Sequence, residues 1–345
     1  MDTAVRERYN GILQMYRLKP DYFEDHGNVI KVYTNQGAYA LKKLNYNRMM
    51  RSSFMQNIQI LTEKGFTHYA PIYHAQDGRH ILYDEENSYY LMPWLEQTEQ
   101  SAEDNDRYHK MFSTLALMHQ KTQREEKIDE DMVKHHYEVI TNRWEEERNG
   151  LEQFLTRCES RWYMSPFELQ YVSHHHHVMR AHEFATKKME EWYEAMKEKE
   201  KTRVSLIHGN LSSNHFLFDH QRNGYFISLE NSSFSSPITD LVTFYTRTFQ
   251  TYPVARNDRY EWFQEYQKTF PLQKEEKMLM LGYMAYPQKF INQVIRYVNS
   301  ESSRDERNEL SYAKQLQHSH WLIRNTEYFI TQLQSAEYQT EQSQQ

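Results

Sequence analysis

Between Ser205 and Leu241 the chain reads SLIHGNLSSNHFLFDHQRNGYFISLENSSFSSPITDL, in which His208, Asn210, His215, Ser228, Glu230 and Asp240 punctuate short apolar runs. Of the chemistries that such polar side chains could be tested against, phosphoryl transfer is mostly positioning and charge neutralisation. It uses a carboxylate to accept the proton of the attacking hydroxyl, and hard oxygen ligands for Mg²⁺. Asn210 carries an amide that accepts no proton at neutral pH. Ser228 offers a neutral hydroxyl and His215 a nitrogen. Two neighbours can compensate: Asn214, beside His215, and Glu230, two residues beyond Ser228. The residues favour the plainer expectation that Asn210 and His215 make polar bonds within a buried loop.

Strands and helices must hold these groups. Residues 29–33 alternate and are rich in β-branched side chains, Asn35-Gln36-Gly37 makes a turn, and residues 38–44 come next, a hairpin that carries Lys42. The helix predicted over 48–64 has no acidic residue before Glu63. Gln56 and Gln59 are neutral, so no ion pair with Lys42 is expected from that helix. The stretch Asp25-His26-Gly27-Asn28 has one glycine, too few for a backbone cradle around phosphate. Further elements are a helix over 2–16 and strands near 22–34, 66–74, 80–83 and 89–94. A hinge comes at Met92–Glu96, then a helix opening at Ser101-Ala102-Glu103-Asp104, whose cap and early acids suit a helix start. A helix-rich insertion spans 126–202, and further helices lie near 239–250, 258–268, 274–284, 286–299 and 305–334. The pattern predicts an α+β chain of two lobes. A five-stranded small lobe over 1–96 precedes a helical large lobe over 97–334, and 335–345 is a polar, unstructured tail.

The segment from His208 resembles the catalytic core of aminoglycoside-phosphotransferase-like kinases, which share the protein-kinase-like fold. There it reads roughly HGDLHPGN, an apolar strand, IDF, then P-x-x-DL. Pro237 and Asp240 keep the spacing, nine and twelve residues after Ser228, while Asn210, His215 and Ser228 stand at the positions of the base and the two metal ligands. The resemblance implies that Lys42 is a vestigial phosphate lysine, matching the Lys of the kinase V-A-I-K strand. It implies that the hinge backbone bonds adenine in active relatives, that His208 holds the loop backbone and that Asp240 braces the loop. With the G-x-Y-x-L-K hairpin at Gly37–Lys42, E-K-G-F at Glu63–Phe66 and L-A-L-M-H at Leu115–His119, the chain is similar to the CotS-type spore-coat family, in particular its YutH-like members. That resemblance implies a protein of the endospore coat, made in the mother-cell cytoplasm, with other coat proteins as partners.

Composition agrees with a helix-rich chain: 345 residues with 9 Gly and 8 Pro, and with Tyr 27, Phe 17 and Trp 6 to fill a core. A net charge of −7 with interspersed signs leaves no footprint for nucleic acid. The amino terminus is charged and lacks a signal peptide's apolar region, and no apolar run is long enough for membrane insertion. One cysteine, Cys158, excludes an internal disulfide and reads as a buried, inert thiol. The tyrosines invite oxidative cross-linking in a coat, although ordinary packing accounts for them. The run His174–His177 reads as a surface histidine cluster: His174 and His177 share a helix face, and neither His135-His136 nor His182 supplies a fixed third ligand.

The favoured expectation is therefore a pseudokinase with a structural or assembly role in the spore coat, not an enzyme, with no cofactor and no metal. The alternatives are an ATP-dependent small-molecule kinase with displaced metal ligands, and a sensor that binds nucleotide without hydrolysing it.

Overall fold

The computed structural model describes residues 3–44, 48–84, 87–95, 104–254, 256–300 and 306–343. The chain is α+β, as expected, and divides into two compact units: residues 1–122 with 208–233, and residues 123–207 with 234–345. The expected lobes at 1–96 and 97–334 divide the chain by element type. Compactness instead groups the reactive segment with the sheet.

The first unit is built on strands β1 (Pro20–Asp25), β2 (Val29–Thr34), β3 (Gly37–Leu44), β4 (Leu82–Tyr83) and β5 (Ser88–Pro93), in the antiparallel order β1-β2-β3-β5-β4. Helix α1 (Thr3–Met15) supplies Tyr9, Ile12 and Leu13 to a core with Ile30, Val32, Leu41, Tyr89 and Leu91. Burying each of the larger apolar side chains contributes about 1.5–3 kcal/mol. The two-residue strand period then sorts the side chains by face: Leu41 opposes Leu91, and Lys42 opposes Tyr90. Leu41 and Leu91 enter the α1 core, so Lys42 and Tyr90 belong to the opposite face of the sheet.

Helices α2 (Arg48–Glu63) and α3 (Asp104–Thr122) complete the elements before the reactive segment. Residues 96–103, which include Glu96 of the expected hinge and the expected cap of α3, lie outside the described residues. The strand expected over 66–74 does not form. Tyr69 makes one bridge to Phe226 and Tyr73 one to Leu91, and Pro71 within the run has no N–H to donate. The sheet reaches five strands because 22–34 divides at Gly27, whose N–H bonds the Asp25 side chain at 2.8 Å.

The second unit holds the antiparallel pair β6 (Arg124–Lys127) and β7 (Lys201–Ile207). Between them run α4 (Glu130–Glu159) and α5 (Pro166–Lys197). Asp129 caps α4 by accepting from the Met132 N–H at 3.1 Å. Ser165 and Glu168 form a capping box at α5, with Pro166 in the first turn. Helices α6 (Ile238–Thr248), α7 (Asp258–Thr269), α8 (Lys274–Ala285), α9 (Gln288–Asn299) and α10 (Glu306–Ser343) lie close to their expected positions.

The polar end of the chain departs from expectation. α10 continues helically through most of it, since no Gly or Pro interrupts it, and Glu337 pairs with Lys277 at 2.9 Å. Aromatic packing dominates this core: Trp144 stacks on Tyr286 at 4.0 Å and Phe167 on Tyr297 at 3.8 Å. Cys158 is fully buried, and burial, then the Glu168 carboxylate, pushes its thiol up to about 11, an unreactive state.

Candidate active site

The reactive segment lies in the first unit with Lys42. It opens at His208 and passes a short helical turn, Ser213–His215. It then forms the ribbon β8 (Phe216–Phe218) and β9 (Gly224–Phe226), and makes a second short turn at Leu229–Asn231. Arg107 of α3 fixes the first turn by donating from Nη2 to the carbonyls of Ser213, at 2.5 Å, and Phe216, at 2.9 Å. The ribbon is tied to the chain after α2, where the Phe226 N–H bonds His68 O and the Ala70 N–H bonds Phe226 O, both at 2.9 Å.

His208 is fully buried and works on the loop backbone. Its Nε2 lies 2.9 Å from the Ile227 carbonyl, and the Asn210 N–H reaches its Nδ1 at 3.2 Å. One neutral tautomer, protonated at Nε2, satisfies both bonds. His215 stacks on His208 at 5.4 Å and is joined through Nδ1 to the Asn210 carbonyl at 2.8 Å. Because a carbonyl only accepts, Nδ1 carries the hydrogen and Nε2 keeps a lone pair. Burial first, then His208, lowers the His215 pKa to about 4, so the ring is neutral at pH 7. The expected polar bonds within the loop are therefore present, and they leave one imidazole nitrogen chemically competent.

Lys42 and Ser228, 186 positions apart, are brought together: Lys42 Nζ donates to Ser228 Oγ at 2.6 Å. No acid of α2 serves Lys42, and its partner comes from elsewhere in the chain. Its ammonium lies 2.5 Å from Glu230 Oε1, and both side chains are nearly buried, at 13% and 6% exposed. The carboxylate comes from the segment that carries Ser228, while the sequence directs attention to helix α2. Burial alone would raise the Glu230 pKa; the Lys42 ammonium outweighs it and holds the acid below the ordinary carboxylate range. Tyr90, opposite Lys42 in the sheet, donates to the same Oε1 at 2.8 Å. Its own hydroxyl is pushed far up by burial and by Glu230.

Two features hold Glu230 there. Ser228 adopts the left-handed conformation, φ 64° and ψ 43°, which few residues other than glycine occupy, and the backbone reverses into the 229–231 turn. Asn57 of α2 donates to the Ser232 carbonyl at 2.7 Å and to its hydroxyl at 3.1 Å. Gln56 and Gln59 are exposed, and Gln59 bonds Glu63. Sequence reasoning does not single out Asn57 or Tyr90. The signal available is their position: Tyr90 lies opposite Lys42 in a hairpin-type register, and Asn57 is polar on the apolar face of α2. Asn214 is exposed. Asp240, in the first turn of α6, is fully buried in the second unit.

The set can neutralise phosphate charge through Lys42 and present one hard carboxylate through Glu230. It can also accept a hydrogen bond at His215 Nε2. The profile of the phosphotransferase enzyme family matches residues 27–272, which span both the Lys42 hairpin and the reactive segment. Among solved structures, an aminoglycoside phosphotransferase from Alicyclobacillus acidocaldarius superposes with a TM-score of 0.71 at 14% identity, covering 94% of this chain and 95% of its own. The AMP-bound spectinomycin phosphotransferase APH(9)-Ia gives 0.59 at 11% identity, covering 93% and 97%. A microcompartment-associated aminopropanol kinase gives 0.55 at 14%, covering 96% and 98%. These likenesses establish the kinase-like fold. No curated protein sequence matches the chain. The family match overturns the expectation of a non-enzyme. That expectation rests on Asn210, His215 and Ser228, and it ranks compensation by the Glu230 carboxylate as the lesser alternative.

Proposed function

The chain belongs to the phosphotransferase enzyme family, and on that premise we propose that it transfers a phosphoryl group from ATP to a hydroxyl of a small molecule, with Glu230 as the acid of the site. The observation that carries this reading is the buried Lys42–Glu230 pair, 2.5 Å apart. A buried charge is costly unless paired, and here the pair sits in the segment where the family's chemistry resides. Lys42 meets the phosphates and Glu230 orients it. His215 accepts the hydrogen bond of the attacking hydroxyl at Nε2. His208, and by proposal Asp240, serve the framework.

The donor set fits Mg²⁺. Lys42 and Tyr90 both meet Oε1 of Glu230, Ser228 adds a hydroxyl, and Mg²⁺ commonly takes one or two carboxylates plus waters and substrate phosphates. When bound, the ion supplies charge neutralisation at the phosphates. The kinases among the structural neighbours, one of them for aminopropanol, support a small hydroxylated amine as acceptor.

Purified protein given ATP, Mg²⁺ and a panel of amino alcohols and aminosugars is expected to form phosphorylated product. Lys42→Ala should lower turnover at least 100-fold. Glu230→Ala alone should also destabilise the chain by about 3–5 kcal/mol, because it strands the ammonium. The double variant should recover much of that stability and none of the activity. Failure to bind nucleotide by calorimetry, with no turnover above buffer, would overturn the reading.

The place of action is proposed as the endospore coat, in company with other coat proteins. The support is the order of the motifs at Gly37–Lys42, Glu63–Phe66 and Leu115–His119. A fluorescent fusion in a sporulating bacterium should ring the forespore; diffuse mother-cell fluorescence would refute it. Among the described residues no helix is long and apolar enough to cross a membrane.

A further inference from the structure

The histidine run of α5 is not the surface cluster that its sequence implies. His176 faces solvent, and His175 is turned to the Tyr171 hydroxyl at 3.0 Å. His174 and His177, one helical turn apart, are half-buried and face α10, which supplies the third histidine the sequence could not identify: His320, 8% exposed. All three belong to the second unit. Ring nitrogens of His174, His177 and His320 lie within 4.8 Å of one another. The His320 ring stacks on His174 at 3.6 Å, so the His174 ring must turn before its in-plane lone pair can share an ion with His320, and His320 Nε2 is 3.3 Å from His177 Nδ1.

We propose that His174, His177 and His320 bind one Zn²⁺ ion that clasps α5 to α10. Two nitrogens at about 2.1 Å from a tetrahedral zinc lie about 3.4 Å apart, which is the spacing that His177 and His320 already hold. Three imidazoles from two helices make the open ligand set of a zinc site, with a fourth position left for water or another ligand. His177 lines a groove of about 440 Å³ together with Arg180, Phe184, Ile323 and Glu327, which gives that position room.

The surroundings supply what a histidine site needs. Gln317 Oε1 lies 3.3 Å from His174 Nε2, which orients that ring and leaves Nδ1 to the ion. His320 Nδ1 is buried without a hydrogen-bond partner, so no bond within the protein opposes turning of that ring from its far side. Arg324, 3.4 Å from His177, and Arg180 are both paired with Glu327, which offsets positive charge beside the ion. The site is separate from the Lys42 site and does not depend on the kinase reading.

The test uses the full chain, purified without a histidine tag and stripped with EDTA. Calorimetric titration with Zn²⁺ alone should show one equivalent bound. Zinc in hundredfold excess over Kd should raise the melting temperature by about 5 °C. His320→Ala should abolish both effects. Since that variant opens a buried position, His177→Gln, at a more accessible ligand, should weaken binding at least tenfold with the apoprotein melting point unchanged. His176→Ala should bind as wild type. Binding of several weak equivalents, or equal loss from His176→Ala and His177→Gln, would overturn the proposal and leave an unspecific histidine surface.

Discussion

Gly209 shows how little freedom the reactive loop has. Its φ is +75°, and a Cβ there would lie 2.1 Å from the Asn231 carbonyl oxygen, a backbone atom that cannot yield without moving Glu230. Gly209→Ala is therefore expected to destabilise the protein by about 1–3 kcal/mol, and calorimetric melting will check it. The same substitution at Gly11, with nothing within 4 Å, should be neutral or stabilising. The family resemblance anticipates the backbone bonds of His208 and the placing of Lys42 beside Ser228. It does not anticipate the weight of Glu230. That Glu230 reaches Lys42 together with Ser228 depends on a left-handed backbone at Ser228, and no side-chain pattern announces that conformation in a residue other than glycine.

Helix α2 is legible from its periodicity, but its inward polar residue lies one position from the expected Gln56, since Gln56 and Asn57 differ by a rotation that helix boundaries alone do not fix. Asn57→Ala leaves the buried Ser232 groups unsatisfied and should cost about 1–3 kcal/mol, whereas Gln56→Ala should fall within about 0.5 kcal/mol of wild type. Of the helices after Asp240, α8 opens on a capping box of Gln273 and Glu276 and α9 buries Phe290, Ile291, Val294 and Tyr297 at helical spacing, whereas α6 and α7 have no side-chain cap. The histidine triad is half legible: α5 shows the one-turn spacing of His174 and His177, but nothing local to α5 indicates that α10 returns with His320, 143 positions beyond His177.

Acid stability belongs to this scale as well. His215 and His320 have native pKa values of about 4 and about 3, below the ordinary histidine value near 6.5. The unfolded chain therefore binds more protons than the native one below about pH 6.5, and stability is present above that pH and falls as pH drops toward 4 and then 3. Glu230, also depressed, adds a loss in the same direction below its ordinary range. Melting temperatures between pH 7 and pH 4.5 should decline, and His215→Asn should flatten part of that slope. An unchanged slope would mean that His215 titrates alike in both states.

At the scale of the molecule, the α+β class and the five-stranded sheet can be read from the sequence, while the grouping of 208–233 with the first 122 residues cannot, because compactness depends on pairings far apart in the chain. Nucleotide binding at Lys42 predicts where protection should appear. With Mg²⁺ and ATP, hydrogen exchange should slow at β3, β5 and residues 208–233, and much less along α4 and α5. Equal slowing throughout, or none at the Lys42 strand, would contradict the assignment.

The Lys42–Glu230 pair also dictates an order of events during synthesis. A ribosome delivers Lys42 and its strand early, then 187 intervening residues, and only then the carboxylate that makes burial of that ammonium tolerable. Until Glu230 emerges, the nascent sheet holds a cation with no counter-charge on that face, and closing around it is disfavoured. The two helices of the insertion, α4 and α5, leave the ribosome in that interval with capping signals complete within their own sequence. The expected sequence of maturation is thus inside out: the middle of the chain consolidates first, the amino-terminal strands wait, and any product truncated before residue 230 exposes a sheet whose Lys42 lacks the Glu230 counter-charge to proteases.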